Sequence, residues 1–327
     1  MARAGHAQAA PNGASALGRR PAPSAAGVGA SGRRRLGQHL LPYLIILPGL
    51  AYFAIFAVYP LLKQVDISFF NWSVMPGAVS PFVGLENYIQ AFHDPNLLQA
   101  AENNVLYVVM TVPAQMVIGL AAAHLLVKRL PLQGMWRTMI YLPVIASWVV
   151  VSFVFAYIFN AQGGVANALL EDILGPKVDV YWLQYQWTGD LVIWVLAVWK
   201  GIGWSMVMFL AALSGLPREV QEAGTVDGAR GLRHWWYVVV PMIWPTITFV
   251  LAMLVIGGVQ AFLSILLLTA GGPYNTTGVI LTYTFQEAWS YFNFGYSAAI
   301  ATLMGVMLLG VTVFQLRLFR RRWADNG

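Results

Sequence analysis

Apolar residues in this chain run in long blocks, not in the short alternations of a half-buried strand or a surface helix. Six blocks are each long enough for a helix of ~20 residues to cross a hydrocarbon core of ~30 Å. They are Leu41–Leu62, Asn104–Val127, Met139–Phe159, Leu191–Leu213, Pro245–Leu268 and Ser297–Leu318. None alternates with period two, so helices, which satisfy their own backbone in lipid, are expected rather than barrel strands. The pattern predicts an all-α polytopic membrane protein with six transmembrane helices. Polar or glycine-rich positions interrupt the third and fourth blocks. Residues 39–320 then form one six-span domain, with a polar loop at 214–243 and a short tail at 321–327. Residues 1–38 are rich in Ala, Gly, Pro and Ser, carry Arg but no acid, and lack the apolar block of a signal peptide. A disordered tail is expected there.

Composition sharpens this picture. Hydrophobic residues make up 58% of the chain and charged ones 10%, which excludes a water-soluble globule. The absence of Cys excludes disulfides and thiolate metal sites. The net charge of +6 is a matter of topology, not of nucleic-acid binding. Arg19, Arg20 and Arg33 to Arg35 precede the first block, and Arg317 and Arg320 to Arg322 follow the last. Nucleic acid would need basic and aromatic residues interleaved on a polar fold; membrane lipid is the expected surrounding. Lys128, Arg129 and Arg137 lie between blocks two and three, and Arg218, Arg230 and Arg233 between blocks four and five. The other loops hold Asp66, Glu86, Asp94, Glu102, Glu171, Asp172, Asp179, Asp190 and Glu287, with only Lys63 and Lys177 as cations. Basic residues stay inside, so both termini and the 214–243 loop are expected in the cytoplasm. The outer loops are long and aromatic, and short interfacial helices are expected in them.

The polar island between blocks four and five carries the sharpest signal. Pro217 suits a first helical position, and Glu219 and Glu222 sit where the positive helix end favours carboxylates. Asp227-Gly228 is a helix stop and turn. A short helix, a turn and a second short amphipathic helix from Arg230 to Val240 are expected.

These residues resemble the cytoplasmic "EAA" loop in the membrane subunits of binding-protein-dependent ABC importers. That pattern is P-x-E-x-x-E-A-A-x-x-D-G-A followed by two further prolines. Pro217, Glu219, Glu222, Ala223, Asp227, Gly228, Ala229, Pro241 and Pro245 match it; Gly224 replaces the second Ala, and Val240 the Leu before Pro241. Three other stretches are similar to sugar-type permeases of the same family: Phe82 to Tyr88, Arg137 to Pro143 with Ser147, and Gly271-Gly272-Pro273 through Ala298. The resemblance covers residues 40 to 320 and is closest to the carbohydrate-uptake branch, in its MalF-like members. It implies a permease subunit in a bacterial or archaeal plasma (inner) membrane. The implied partners are a second homologous permease, a cytoplasmic ATPase dimer and an extracytoplasmic solute-binding protein. Glu219, Glu222, Ala223, Gly224, Asp227, Gly228 and Ala229 would couple the chain to the ATPase.

No catalysis, cofactor or metal site is expected from the chain itself. None of the four lysines is followed by Ser or Thr, so there is no phosphate-cradling P-loop, and the five His show no ligand spacing. Lys200 is a charge inside a span, where such a residue faces a cavity, meets a partner group or snorkels. A substrate-pathway or inter-subunit contact competes there with snorkelling toward the interface or an internal hydrogen bond, and Asp190 is near enough in sequence to pair with it. Trp199, Trp204, Tyr283, Phe285, Gln286 and Trp289 could stack on or bond a sugar, although helix packing or an interfacial belt accounts for any one of them. Lys200, Trp204, Tyr283 and Gln286 are the candidates for a substrate pathway. An ATP-independent secondary transporter or channel would need paired intramembrane acids or inverted repeats, which the spans lack. A purely structural membrane protein would leave the Glu222 loop unexplained.

Overall fold

The chain's structure, a computed structural model, describes residues 43–324 except 76, 129, 176–178, 218, 220–221 and 223–229, and no side chains beyond 317. The expected tail at 1–38 lies outside the described residues. Those described are helical and carry no strand, only an isolated bridge between Phe70 and Phe82. In chain order the helices are α1 (Tyr43–Ile67), α2 (Glu86–His93), α3 (Pro95–Val127) and α4 (Gln133–Ile145). Then come α5 (Trp148–Ile158), α6 (Val165–Leu174), α7 (Gln186–Ser214) and α8 (Leu232–Met242). The last four are α9 (Trp244–Val259), α10 (Leu263–Leu268), α11 (Ile280–Trp289) and α12 (Phe294–Ala324). The chain up to Pro60 forms a unit of its own, whose described side chains are exposed.

Among the described residues, helices α1, α3, α7 and α12 are each long and apolar enough to cross a membrane, and the number rises to six if each of two bent pairs is one span. The third block is broken: α4 and α5 meet at 96° across Ala146-Ser147. Pro143 has no N–H for the preceding turn, and Ala146 and Ser147 are both extended. The fourth block, expected to be interrupted, is instead the unbroken α7. Its glycines serve close packing there, not a break. The fifth block is displaced toward the N-terminus. Helix α8, interrupted by a π-turn at Trp235–Val239, meets α9 at 71°, and α9 ends at Val259 where the sequence pattern ran on to Leu268. The second helix of the polar loop therefore begins at Leu232 and ends at Met242, close to the expected Arg230 to Val240. Helices α2, α6 and α11 occupy the loops in which interfacial helices were expected.

Helix α7 organises the bundle. Its Gly201, Gly203 and Ser205 allow close approach of two neighbours, the usual device where lipid supplies no hydrophobic drive between helices. A Cβ on Gly203 would lie 2.5 Å from the Ile140 carbonyl oxygen on α4. Opposite, a Cβ on Gly119 of α3 would lie 2.6 Å from Ser205 Cβ. Below these contacts Met206, Phe209 and Leu213 pack with Ala123, Leu126, Val239 and Val250. Above them Ile193 and Leu196 pack with Tyr107, Val151 and Ile265. A third cluster joins α2, α3, α11 and α12 through Ala91, Ala100, Tyr283, Tyr296 and Ile300.

Replacing Gly119 by Leu forces α3 off α7, and overpacking of this kind costs ~1–3 kcal/mol. The variant is expected to melt several degrees lower in detergent than the parent. Gly305→Leu, where nothing lies within 4 Å of an added Cβ, is expected to match the parent. Equal melting of both variants would remove the close approach as a determinant of stability.

Candidate functional site

Lys200 is buried, with 5% of its surface exposed. Its Nζ donates to the carbonyls of Pro143 at 2.9 Å, Val144 at 3.3 Å and Ala146 at 2.5 Å, and stands 4.9 Å from the Trp148 ring centroid. Those carbonyls belong to the end of α4 and to the break after it, where no continuing helix supplies N–H donors. A lysine at a helix C-terminus suits both the free carbonyls and the negative helix end. The ammonium is thus tied within the chain and does not snorkel to an interface. Asp190 is also buried but is not bonded to Lys200, and its Oδ2 has no hydrogen-bond partner. At the end of α9 the Gly258 carbonyl accepts from the Ala261 N–H and, in addition, from Asn104 Nδ2 on α3.

Lys200 and Trp204 line one cavity of about 340 Å³, walled by α3, α4, α5, α7 and α9. Its polar groups are Tyr107, Thr111 and Gln115 on α3, besides Lys200, and its aromatic rings are Tyr107, Trp148 and Trp204. Gln115 Nε2 donates to the Ala197 carbonyl at 3.3 Å, and Thr111 Oγ1 to that of Tyr107 at 2.7 Å. The sequence reading missed Tyr107, Thr111 and Gln115. Their signal was a spacing of four along an apolar helix, which stacks them on one face.

Tyr283 and Gln286 lie elsewhere. Tyr283 is buried, and both its hydroxyl and that of Tyr296 donate to Asp94 Oδ2 at 2.6 Å. The other Asp94 oxygen caps α3 by accepting from the Asn96 N–H at 2.9 Å. Burial pushes this carboxyl up, but the bonds from Tyr283, Tyr296 and the backbone outweigh it and hold Asp94 below its ordinary value. Burial and the bond to Asp94 push the Tyr283 phenol up. Gln286 Nε2 donates to the Ala270 carbonyl at 2.7 Å, bracing the loop before α11. That loop is also held by Asn103, whose Nδ2 reaches the carbonyls of Thr276 and Gly278, both at 2.8 Å. Among the aromatic candidates, Trp199 packs on Phe155, while Phe285 and Trp289 stack with each other and with Phe262 and Phe294.

Of the proposed coupling residues, Glu219 and Glu222 are helical and exposed. Pro217 precedes them and is not helical. Ala223, Gly224, Asp227, Gly228 and Ala229 lie outside the described residues.

Two outcomes follow from this geometry. Lys200→Met strands the carbonyls at the break in lipid, and each unpaired buried group costs ~1–3 kcal/mol. The variant is expected to insert but to melt well below the parent in detergent; an unchanged melting temperature would refute the capping role. Because the Asp94 carboxyl is depressed on folding, its contribution is present above the unfolded value of ~3.9 and is lost as pH falls through the lower folded value. Asp94→Asn is expected to lose ~1 kcal/mol at pH 7, discounted for partial exposure, and to show a flatter stability profile below pH ~4. Parallel acid profiles in the two proteins would count against the latch.

Residues 115–324 match the family described as binding-protein-dependent transport system inner membrane component. The chain is 31% identical over 88% of its length to the sulfoquinovosyl glycerol transport system permease protein SmoG of Agrobacterium fabrum, covering 92% of that protein. It is 32% identical to the arabinooligosaccharides transport system permease protein AraP of Halalkalibacterium halodurans, over 86% of this chain and 88% of that one. In fold it is similar to a chain of a bacterial ABC transporter involved in the import of the acidic polysaccharide alginate, with a TM-score of 0.77 at 22% identity, covering 88% of this chain and 98% of that one. A family match over more than half its length, with relatives of this identity and coverage, makes the chain a multi-pass member of the inner-membrane permease subunits of binding-protein-dependent ABC transporters.

Proposed function

We propose that this chain forms half of the translocation pathway of an importer for a sugar or sugar-like solute, driven by a separate cytoplasmic ATPase. The observation that carries the reading is the exposed, helical Glu219 and Glu222 directly after α7. They sit in a loop whose residues follow the coupling pattern of the family. The names of the relatives support a carbohydrate cargo, and the cavity beside Lys200 suits one. Trp148 and Trp204 offer faces to sugar C–H groups, and Thr111 and Gln115 offer hydrogen-bonding groups. In this reading Lys200 and Trp204 border the solute's path, while Tyr283 and Gln286 hold the outer end of the bundle in register.

The remaining parts follow from the chemistry the chain lacks. A second, homologous permease closes the pathway. A structure of the alginate transporter in complex with a substrate-bound periplasmic protein supports delivery of the solute by a binding protein on the outer side. Both termini and the 214–243 loop face the cytoplasm, on the distribution of Arg and Lys. ATP acts by binding two conformations of the ATPase unequally. The coupling residues transmit that difference to a pathway with an inward-facing and an outward-facing state.

Glu222→Ala and Gly228→Pro are expected to insert normally and to abolish or strongly reduce uptake. Removing a charged hydrogen bond weakens docking by ~1–3 kcal/mol, roughly five- to 150-fold in affinity. Proline at position 228 cannot adopt a left-handed turn. The measurements are radiolabelled uptake per membrane-embedded protein and recovery of the ATPase with a tagged permease. Normal values of both in both variants would refute the coupling role.

A further inference from the structure

A second concavity lies at the other end of the bundle. The last turns of α3 and α7, with α8 and the start of α9, enclose a groove of about 1130 Å³. Its walls are apolar, through residues such as Leu120, Leu213, Val239 and Ile247. Its cations are Lys128 and Arg230, with His124 and His234 beside them, and none of the described residues lining it is Asp or Glu. Trp235, Trp236 and Trp244 line it too, with the Trp235 ring edge-on to His124 at 4.4 Å between centroids. Val117, Leu232 and Trp236 at its mouth are 67%, 78% and 63% exposed.

Three features of this groove identify its occupant. It sits where two spanning helices end, the level at which tryptophans and cations mark the edge of the hydrocarbon. Its walls call for a hydrocarbon chain. Its cations Lys128 and Arg230, with no carboxylate among the described lining residues, call for an anion at the same place. The N-terminal tail of this chain carries Arg and no acid, so its charge has the wrong sign. We propose that the groove binds an anionic phospholipid of the cytoplasmic leaflet, its phosphate against Lys128 and Arg230 and an acyl chain along Leu120, Leu213 and Val239. Such a lipid fills the space beneath α8 and braces the helix that follows the Glu222 loop. The leaflet, though not the chemistry, rests on the orientation proposed above.

The test uses the full-length chain in nanodiscs of phosphatidylcholine with or without phosphatidylglycerol, and counts lipids retained after release by native mass spectrometry. Retention of phosphatidylglycerol over phosphatidylcholine is expected. Lys128→Gln with Arg230→Gln should reduce that preference roughly tenfold or more, since two cations are lost. Ala121→Trp, which fills the groove and leaves its cations, should reduce retention of both lipids. Equal retention of the two lipids by the parent, or a preference unchanged in the double variant, would overturn the site. So would a cross-link from Val117→Cys to the ATPase or the second permease in the assembled importer, because the occupant would then be protein. The chain has no native Cys, so Ser214→Cys reports orientation separately. Labelling from the outside would overturn the leaflet assignment even with the expected retention.

Discussion

A helix that breaks inside a membrane leaves carbonyls with no N–H to bond and no water to replace it, and the rest of this structure depends on how those carbonyls are satisfied. The third block turns through 96° at Ala146-Ser147. Three of its carbonyls are taken by one ammonium, Lys200, projected from an unbroken neighbour. Asn104 adds a second donor to the Gly258 carbonyl at the end of α9, and Asn103 holds two carbonyls of the loop after α10. In each case a continuous helix, α3 or α7, supplies the donor and a broken element supplies the acceptor. Charge and hydrogen bonding are therefore concentrated on the two helices that pack most closely, where Gly119 and Ser205 nearly touch.

This division of labour explains what could be read from the sequence. Long apolar blocks have one solution in lipid, so the all-α class and the long apolar helices were legible from hydropathy alone. Hydropathy cannot tell a straight span from a broken one, because both bury the same residues. The glycines of α7 resembled an interruption, but Gly203 is there because the Ile140 carbonyl leaves no room for a side chain. Conversely, the end of α9 near Gly258 coincides with a side chain on α3, far away in sequence. The fate of Lys200 was illegible for the same reason: its partners are backbone carbonyls, which every residue has and no pattern marks. Tyr283 invited a role beside a sugar as an aromatic with a polar tip, yet its partner Asp94 lies at the start of α3, and no local spacing links the two.

The two bonded clusters also divide the molecule by rigidity. At one end Asp94 ties α3 to α11 and α12 through two phenols on one carboxylate oxygen. Such charge-assisted bonds are short and about twice as strong as neutral ones. In the middle the cavity beside Lys200 is walled by five helices and has an ammonium at its edge, held by carbonyls and not by a carboxylate.

The continuity of α7 then has a mechanical consequence for the proposed function. From Lys200 to Ser214 the helix runs ~20 Å at 1.5 Å per residue, and Glu219 and Glu222 follow almost at once. A displacement imposed on those carboxylates has to cross the non-helical Gly215–Pro217 before the unbroken α7 carries it to Lys200. Lys200 in turn holds the α4 end at the break in the third block. That break is where two rigid segments can change their mutual angle, since Ala146 and Ser147 are already extended, with the Ser147 carbonyl held by the Val151 N–H at the start of α5. A flexible lysine stem with three donors can keep its carbonyls through a modest rotation, where a fixed backbone cap would have to let go. The residue that makes the break stable in lipid is thus also the one placed to let it move.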